Sequence, residues 1–366
     1  MKKFLAIAIL PAVMISFSGC WDQNLFEDTA MVLSAGIDTV NEGSEYEFTF
    51  AYGQPQNSQG ELLTTSAESS VMEEALQSAN DTMERPLVIE KLQNIIISED
   101  AAKEGAIGNG GTYYLGETSR FLADYVISES DASAVFEAVM AMEMGDSAFS
   151  YIDNLLTTSS QKGYCPNVSL HDYNLDYIKN GIDAIFPLIT VEEEKVTVSG
   201  TALFHDEKMV GKFNQQETMY LLMLLAMNEN TDYTINIPIT NENQATEATL
   251  HINRVKSNQK PSIHDGQLTI KYDIKLYGYF DELERTRLIN DFSQKEIDKA
   301  AEQHISENLV SIANTLSQLP CDPFAIEDQI RGYYPDFYKT HNFDEVYANA
   351  EFQITVEAII TNEGKT

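Results

Sequence analysis

The sequence predicts an α+β protein: a multidomain mixed fold whose C-terminal domain has mainly antiparallel strands covered by a long helix. Three observations carry this. Several segments alternate apolar and polar residues with period two, as Tyr46, Phe48, Phe50 and Tyr52 do. One segment, Ile297 to Leu319, repeats apolar residues at steps of three and four. The 366 residues, 43 % hydrophobic with a mean hydropathy of -0.24, are enough for two or three folded domains.

MVLSAGID (31–38) and EYEFTFAYG (45–53) read as strands joined by a turn at Asn41-Glu42-Gly43. The polar QPQNSQGELLTT (54–65) reads as a loop. Ser70 and Glu73 form a capping-box pattern opening a helix to about Met83, and Pro86 bars its continuation. LQNIIIS (92–98) reads as a buried strand, and Ser98 starts a short helix closed by Gly105. GNGGTYYLG (108–116) reads as a mobile surface loop, because no G-K-[ST] follows to make it a phosphate loop. FLADYVIS is a strand. DASAVFEAVMAMEM is a helix begun by Asp131 and stopped by Gly145, and AFSYIDNLLTT continues as helix. Residues 160–195, with Gly163, Pro166, Gly181 and Pro187, read as looser chain ending in the acidic VEEE. A boundary placed there divides the chain into 1–19, 20–195 and 196–366.

The second half opens with a hairpin, KVTVSGTALFHDEKMVGKF, turning at HDEK. Asn214 and Glu217 form a capping box before the apolar MYLLMLLAM, a buried helix too short to cross a bilayer. YTINIPI (233–239), ATLHINRV (248–255) and QLTIKYDIKLYGY (267–279) alternate as strands. Ser293 and Glu296 cap the long helix, which ends before Pro320 and should lie across the sheet. In EFQITVEAII, Phe352, Ile354, Val356, Ala358 and Ile360 alternate as a closing strand.

The N-terminus is export machinery. Lys2 and Lys3 precede an uncharged apolar run from Phe4 to Gly19, shorter than the roughly 20 residues a membrane-spanning helix needs. A basic start, a short apolar core and small residues before a break make a signal peptide. Its end, Ser18-Gly19-Cys20, resembles the lipobox of bacterial lipoproteins, which implies cleavage between Gly19 and Cys20 and a diacylglycerol on the Cys20 thiol. Each buried methylene contributes roughly 0.8 kcal/mol, so two acyl chains hold firmly where one binds reversibly. Trp21 suits the membrane–water interface or packing on the domain.

The formal net charge of -34 repels nucleic acid and anionic headgroups. Export permits a disulfide between Cys165 and Cys321, although two separate thiols are the simpler arrangement. His171, His205, His251, His264, His304 and His341 show no metal-ligand spacing and read as surface or packing residues. No G-x-S-x-G, H-E-x-x-H, C-x-x-C, EF-hand loop or P-loop is present. The sequence therefore indicates a binding or assembly protein without catalytic residues, metal or cofactor.

The motifs, taken in order, resemble the spore germinant receptor C subunits, the Ger(x)C lipoproteins. The resemblance begins at Gly19-Cys20-Trp21-Asp22 and continues through Asp28-x-Ala30 and Gly36-Ile37-Asp38. It resumes at GTALFHDEKMVGKFNQQET, then at Asp322-Pro323-Phe324 and Tyr334-Pro335, and closes on a strand ending at Gly364. Ala325 and Ile326 stand where the family has glycines, and Phe337 and Tyr338 where a tryptophan is common. The resemblance implies a non-enzymatic subunit, lipid-anchored to the outer face of the spore inner membrane. It also implies two integral membrane receptor subunits as partners, with small-molecule germinants reached only through the complex. A lipoprotein solute receptor feeding a transporter is the alternative; it would show two lobes of parallel βαβ units, and the hairpin-rich second half speaks against it.

Overall fold

Aromatic alternation in the first hairpin seeds the larger of two sheets. The computed structural model describes residues 29–40, 45–53, 62–89, 91–110, 123–142, 148–169, 181–227, 231–241 and 244–361. β1 (Ala30–Val40) and β2 (Glu45–Gly53) pair antiparallel, with Tyr46, Phe48, Phe50 and Tyr52 buried. The turn at 41–43 lies outside the described residues. β3 (Leu62–Ser69) pairs with β2 and corrects the loop expected over 54–65 from Leu62 onward. It is an edge strand that buries Leu62 and little else, so its sequence carries hardly any apolar signal.

α1 (Met72–Asn80) begins after Val71 without a side-chain cap, not in the expected Ser70–Glu73 box. Ser69 makes the turn instead, accepting from the Val71 N–H at 3.3 Å and donating to Glu74 at 3.1 Å. β4 (Leu87–Val88) and β5 (Asn94–Ser98) both run parallel to β1. Ser98 caps α2 (Glu99–Lys103), and Gly105 follows at φ +87. α3 (Ala106–Gly110) takes in the start of the glycine-rich segment; residues 111–116 lie outside the described set.

β6 (Asp124–Ser128) and β7 (Ile185–Glu192) extend the parallel core. β8 (Lys195–His205) and β9 (Lys208–Asn214) close the sheet antiparallel, giving the order β3-β2-β1-β5-β6-β7-β8-β9. One face packs on α1, α2 and α3, the other on α4 (Ala132–Met140) and α5 (Ala148–Gln161). Asp131 does not cap α4 by hydrogen bond. Asp38 on β1 reaches across and accepts from the Ala132 N–H at 2.7 Å and the Ser133 N–H at 3.1 Å.

Within 160–195, where residues 170–180 lie outside the described set, β7 replaces the looser chain expected before the acidic run. β7 buries Ile185, Phe186, Leu188 and Ile189. Glu193 and Glu194, both at positive φ (48 and 63), form the two-residue β7–β8 turn. The acidic run is thus a hairpin tip, and the first sheet continues to Asn214, past the line drawn at 195.

α6 (Gln215–Leu225) opens with the expected Asn214–Glu217 capping box and buries every side chain from Thr218 to Leu224. The second sheet has the order β10 (Tyr233–Thr240), β11 (Ala245–His264), β12 (Gln267–Tyr279), β13 (Glu351–Ile360). Its first three strands are antiparallel, and β13 runs parallel to β12. α7 (Glu282–Asp291) precedes α8 (Gln294–Gln318), which the Ser293–Glu296 box caps as expected. α8 lays Ile297, Ala301, Ile305, Leu309, Ile312 and Leu316 on one sheet face. α9 (Ile326–Tyr333), α10 (Pro335–Tyr338) and α11 (Phe343–Ala348) lead into β13. Among the described residues no helix is long and apolar enough to cross a membrane. The halves are unlike: the first holds a parallel core between helix layers, the second a single sheet under one long helix.

Candidate functional site

Two of the motifs that resemble a family in sequence, the one holding His205-Asp206 and the one holding Asp322-Pro323-Phe324, meet on a seam between the two sheets. The β8–β9 turn brings in His205 and Asp206, the chain before β7 brings Asp183, and the segment after α8 brings Cys321-Asp322-Pro323-Phe324. The Asp183 carboxylate accepts from the Asp322 N–H at 2.7 Å and the Asp206 N–H at 3.1 Å, and lies 3.2 Å from His205 Nδ1. The Asp183 N–H donates back to the Asp322 carbonyl at 3.0 Å. Hydrogen bonding to Asp183 pushes the His205 imidazole up to about 9.

Asp322 is 3 % exposed, and its carboxylate accepts from the Phe324 N–H at 3.2 Å and the Glu327 N–H at 2.8 Å. It thereby ties off the first turn of α9. Burial raises its carboxyl to about 8, against the lowering effect of those N–H groups. Phe324 packs edge-on against Tyr272 of β12, with ring centroids 5.7 Å apart. Gln259 on β11 donates to the Phe324 carbonyl at 2.7 Å and accepts from the Tyr272 hydroxyl at 3.1 Å. The buried Tyr347 hydroxyl donates to the Cys321 carbonyl at 3.3 Å. Ala325 sits in the left-handed region at φ 57, where the resembled family has a glycine.

The other motif residues shape backbone. A Cβ on Gly36 would come 2.7 Å from Phe136, so only glycine lets α4 approach β1. Gly200, which opens the GTALF motif, holds φ +152 with Phe213 O just 1.9 Å from where a Cβ would stand. Ala30 is fully buried and donates to the Pro86 carbonyl at 3.0 Å. Gly19, Cys20, Trp21 and Asp22 lie outside the described residues, as does His171.

The seam joins one part of the chain to the other through hydrogen bonds. Its carboxylates are occupied by backbone donors, and among the described residues no group of three or more His, Cys, Asp or Glu could hold a metal. Cys165 and Cys321 are free thiols buried in different core clusters, so the disulfide the sequence permitted is not formed. Burial pushes the Cys165 thiol up to about 12 and raises that of Cys321 as well, which makes both poor nucleophiles. His205 is the one described histidine in the seam; His304 lies 3.4 Å from the Tyr220 hydroxyl and His251 stacks on Tyr279. Sequence reasoning passed over Asp183, a lone acid whose partners lie 22 and 139 positions away.

Known proteins share both the sequence and the fold. A family model described as "Spore germination protein N-terminal domain" matches residues 22–191, and one described as "Spore germination B3/ GerAC like, C-terminal" matches residues 199–364. Spore germination protein GerQC of Bacillus cereus is 21 % identical over the full length of both chains. YfkR of Bacillus subtilis (strain 168) is 21 % identical over 90 % of this chain and 88 % of its own. The crystal structure of the GerBC protein has the same fold, with a TM-score of 0.54 at 18 % identity, covering 90 % of this chain and 97 % of that one. With one half matched by each of the two family models, the chain belongs to the Ger(x)C family of spore germination proteins.

Proposed function

We propose that this chain is the lipid-anchored subunit of a nutrient germinant receptor, acting in the assembly and signalling that trigger germination. A diacylglycerol on Cys20 holds it on the outer face of the spore inner membrane, beside two integral membrane subunits. The observation that carries this reading is the Ser18-Gly19-Cys20 junction, which lies only ten positions from the first residue of β1 at Ala30. So short a connection keeps the folded body against the bilayer, where weak contacts with membrane partners act at high effective concentration.

Replacing the thiol tests the tether. Cys20→Ala is expected to leave the body folded, release it from the membrane fraction and abolish most of the germinant response. A normal response from spores whose variant is absent from the membrane fraction would sink the proposal. Calorimetry of the isolated chain against amino acids and sugars separates the solute-receptor alternative, which requires tight binding by this chain alone.

A further inference from the structure

β11 outruns its neighbour. Its pairing with β10 stops at Tyr233↔Ile252, whereas its pairing with β12 continues to His264↔Gln267. Beyond Ile252, where a bulge shifts the register, one edge of β11 has no strand beside it among the described residues. The far part of that edge is covered: Gln259 bonds the Phe324 carbonyl, and Pro261, which has no N–H to offer, is buried. The open part is 253–258, six residues that span roughly 20 Å at strand rise. A cleft of about 890 Å³ runs along this stretch, lined also by Met227, Thr231, Tyr233 and Lys275.

The charge there opposes that of the chain. Between Asn253 and Tyr279 the chain carries Arg254, Lys256, Lys260, Lys271 and Lys275 against Asp265 and Asp273, in a protein of net charge -34. Register sets Lys256 opposite Lys275 and Lys260 opposite Lys271. Like charges directly opposite are unfavourable. Glu357 answers Lys275 at 2.6 Å, but no described carboxylate lies within ion-pair distance of Lys256, Lys260 or Lys271.

We propose that the open edge of β11 at 253–258 is a docking site for an extended, acidic segment of a partner protein, which adds as a strand beside β11 in line with β10. Backbone groups of the edge would supply the ladder, and Arg254, Lys256 and Lys260 would select carboxylates. The same lysines repel an identical edge, which disfavours a second copy. The net charge of -34 disfavours an anionic bilayer as the occupant.

The test uses the full chain and two synthetic peptides of about eight residues, strand length, one alternating glutamate with valine and one lysine with valine. The glutamate peptide is expected to bind roughly tenfold tighter. Hydrogen exchange at 253–258 should slow only when it is bound. Lys256→Glu with Lys260→Glu, both exposed and outside the core, is expected to reverse the preference while leaving circular dichroism unchanged. Equal affinity for the two peptides, binding of neither, or protection elsewhere overturns the proposal. So does binding of phosphatidylglycerol vesicles without peptide preference, or self-association abolished by the double substitution; these would assign the edge to a membrane or to a second copy.

Discussion

The seam around Asp183 and the open edge of β11 are two places where polar backbone must find partners beyond its own sheet, and they solve the problem in opposite ways. At the seam, carboxylates and carbonyls of one half take up the N–H groups of the other, and Asp322 is 3 % exposed. At the edge, residues 253–258 alternate between half-buried and exposed, with no strand beside them among the described residues. The difference separates a permanent joint from a surface left available: water can serve unpaired groups at an edge but not in a core.

The largest expected effect comes from breaking the joint. Asp183→Ala removes the acceptor of the Asp322 and Asp206 N–H groups and the partner of His205. A loss of about 1–2 kcal/mol is expected, because the part-buried Asp322 N–H loses its acceptor while the exposed Asp206 N–H can turn to water. Urea unfolding should then split into two transitions as the sheets uncouple, and an unchanged single transition would show that packing alone joins them.

pH acts on the same joint more gently. The folded His205 value of about 9 lies above its ordinary 6.5, so its stabilisation is complete below pH 6.5 and is lost as pH rises through about 9. Asp322 is raised from 3.8 to about 8, which has the same sign: stability falls as pH climbs from 3.8 through about 8. Both groups therefore loosen the seam toward alkaline pH. Thermal unfolding across this range should show a falling midpoint, with His205→Gln flattening the upper part and Asp322→Asn the lower. A flat profile in the unsubstituted chain would remove both groups from the account.

The smallest effect sharpens the comparison from the stable side. Ala325 holds φ 57 at the start of α9, a conformation that costs a residue with a Cβ about 1 kcal/mol. Ala325→Gly is expected to raise the urea midpoint by an amount equivalent to about that. A lower midpoint would mean that flexibility gained in the unfolded chain outweighs the relief.

Legibility followed the physics of each element. β12 and α8 could be read closely because each buries one face and shows water the other, which prints a period on the sequence, and β2 because its large aromatics lie on one face and smaller residues on the other. Both capping boxes of the second half were legible, since a cap needs only neighbours three residues apart. β3 was missed because an edge strand buries little, and the second half of β11 because it turns lysines and asparagine to water. β7 was obscured by the glycines and prolines around it. Of the seam, His205 and Asp322 stood in motifs, whereas Asp183 did not.

The sequence by itself determined the α+β class, the alternation of the second sheet, the long helix and the absence of metal or nucleophile motifs, all of which rest on local spacing. Tertiary structure alone decided that β8 and β9 belong to the first sheet, that Asp38 caps a helix 94 residues away, and that Asp183 locks onto Asp322. It also decided that β11 runs past the end of β10 while staying paired with β12. Such pairings depend on which distant groups burial leaves without water, and no local periodicity records that.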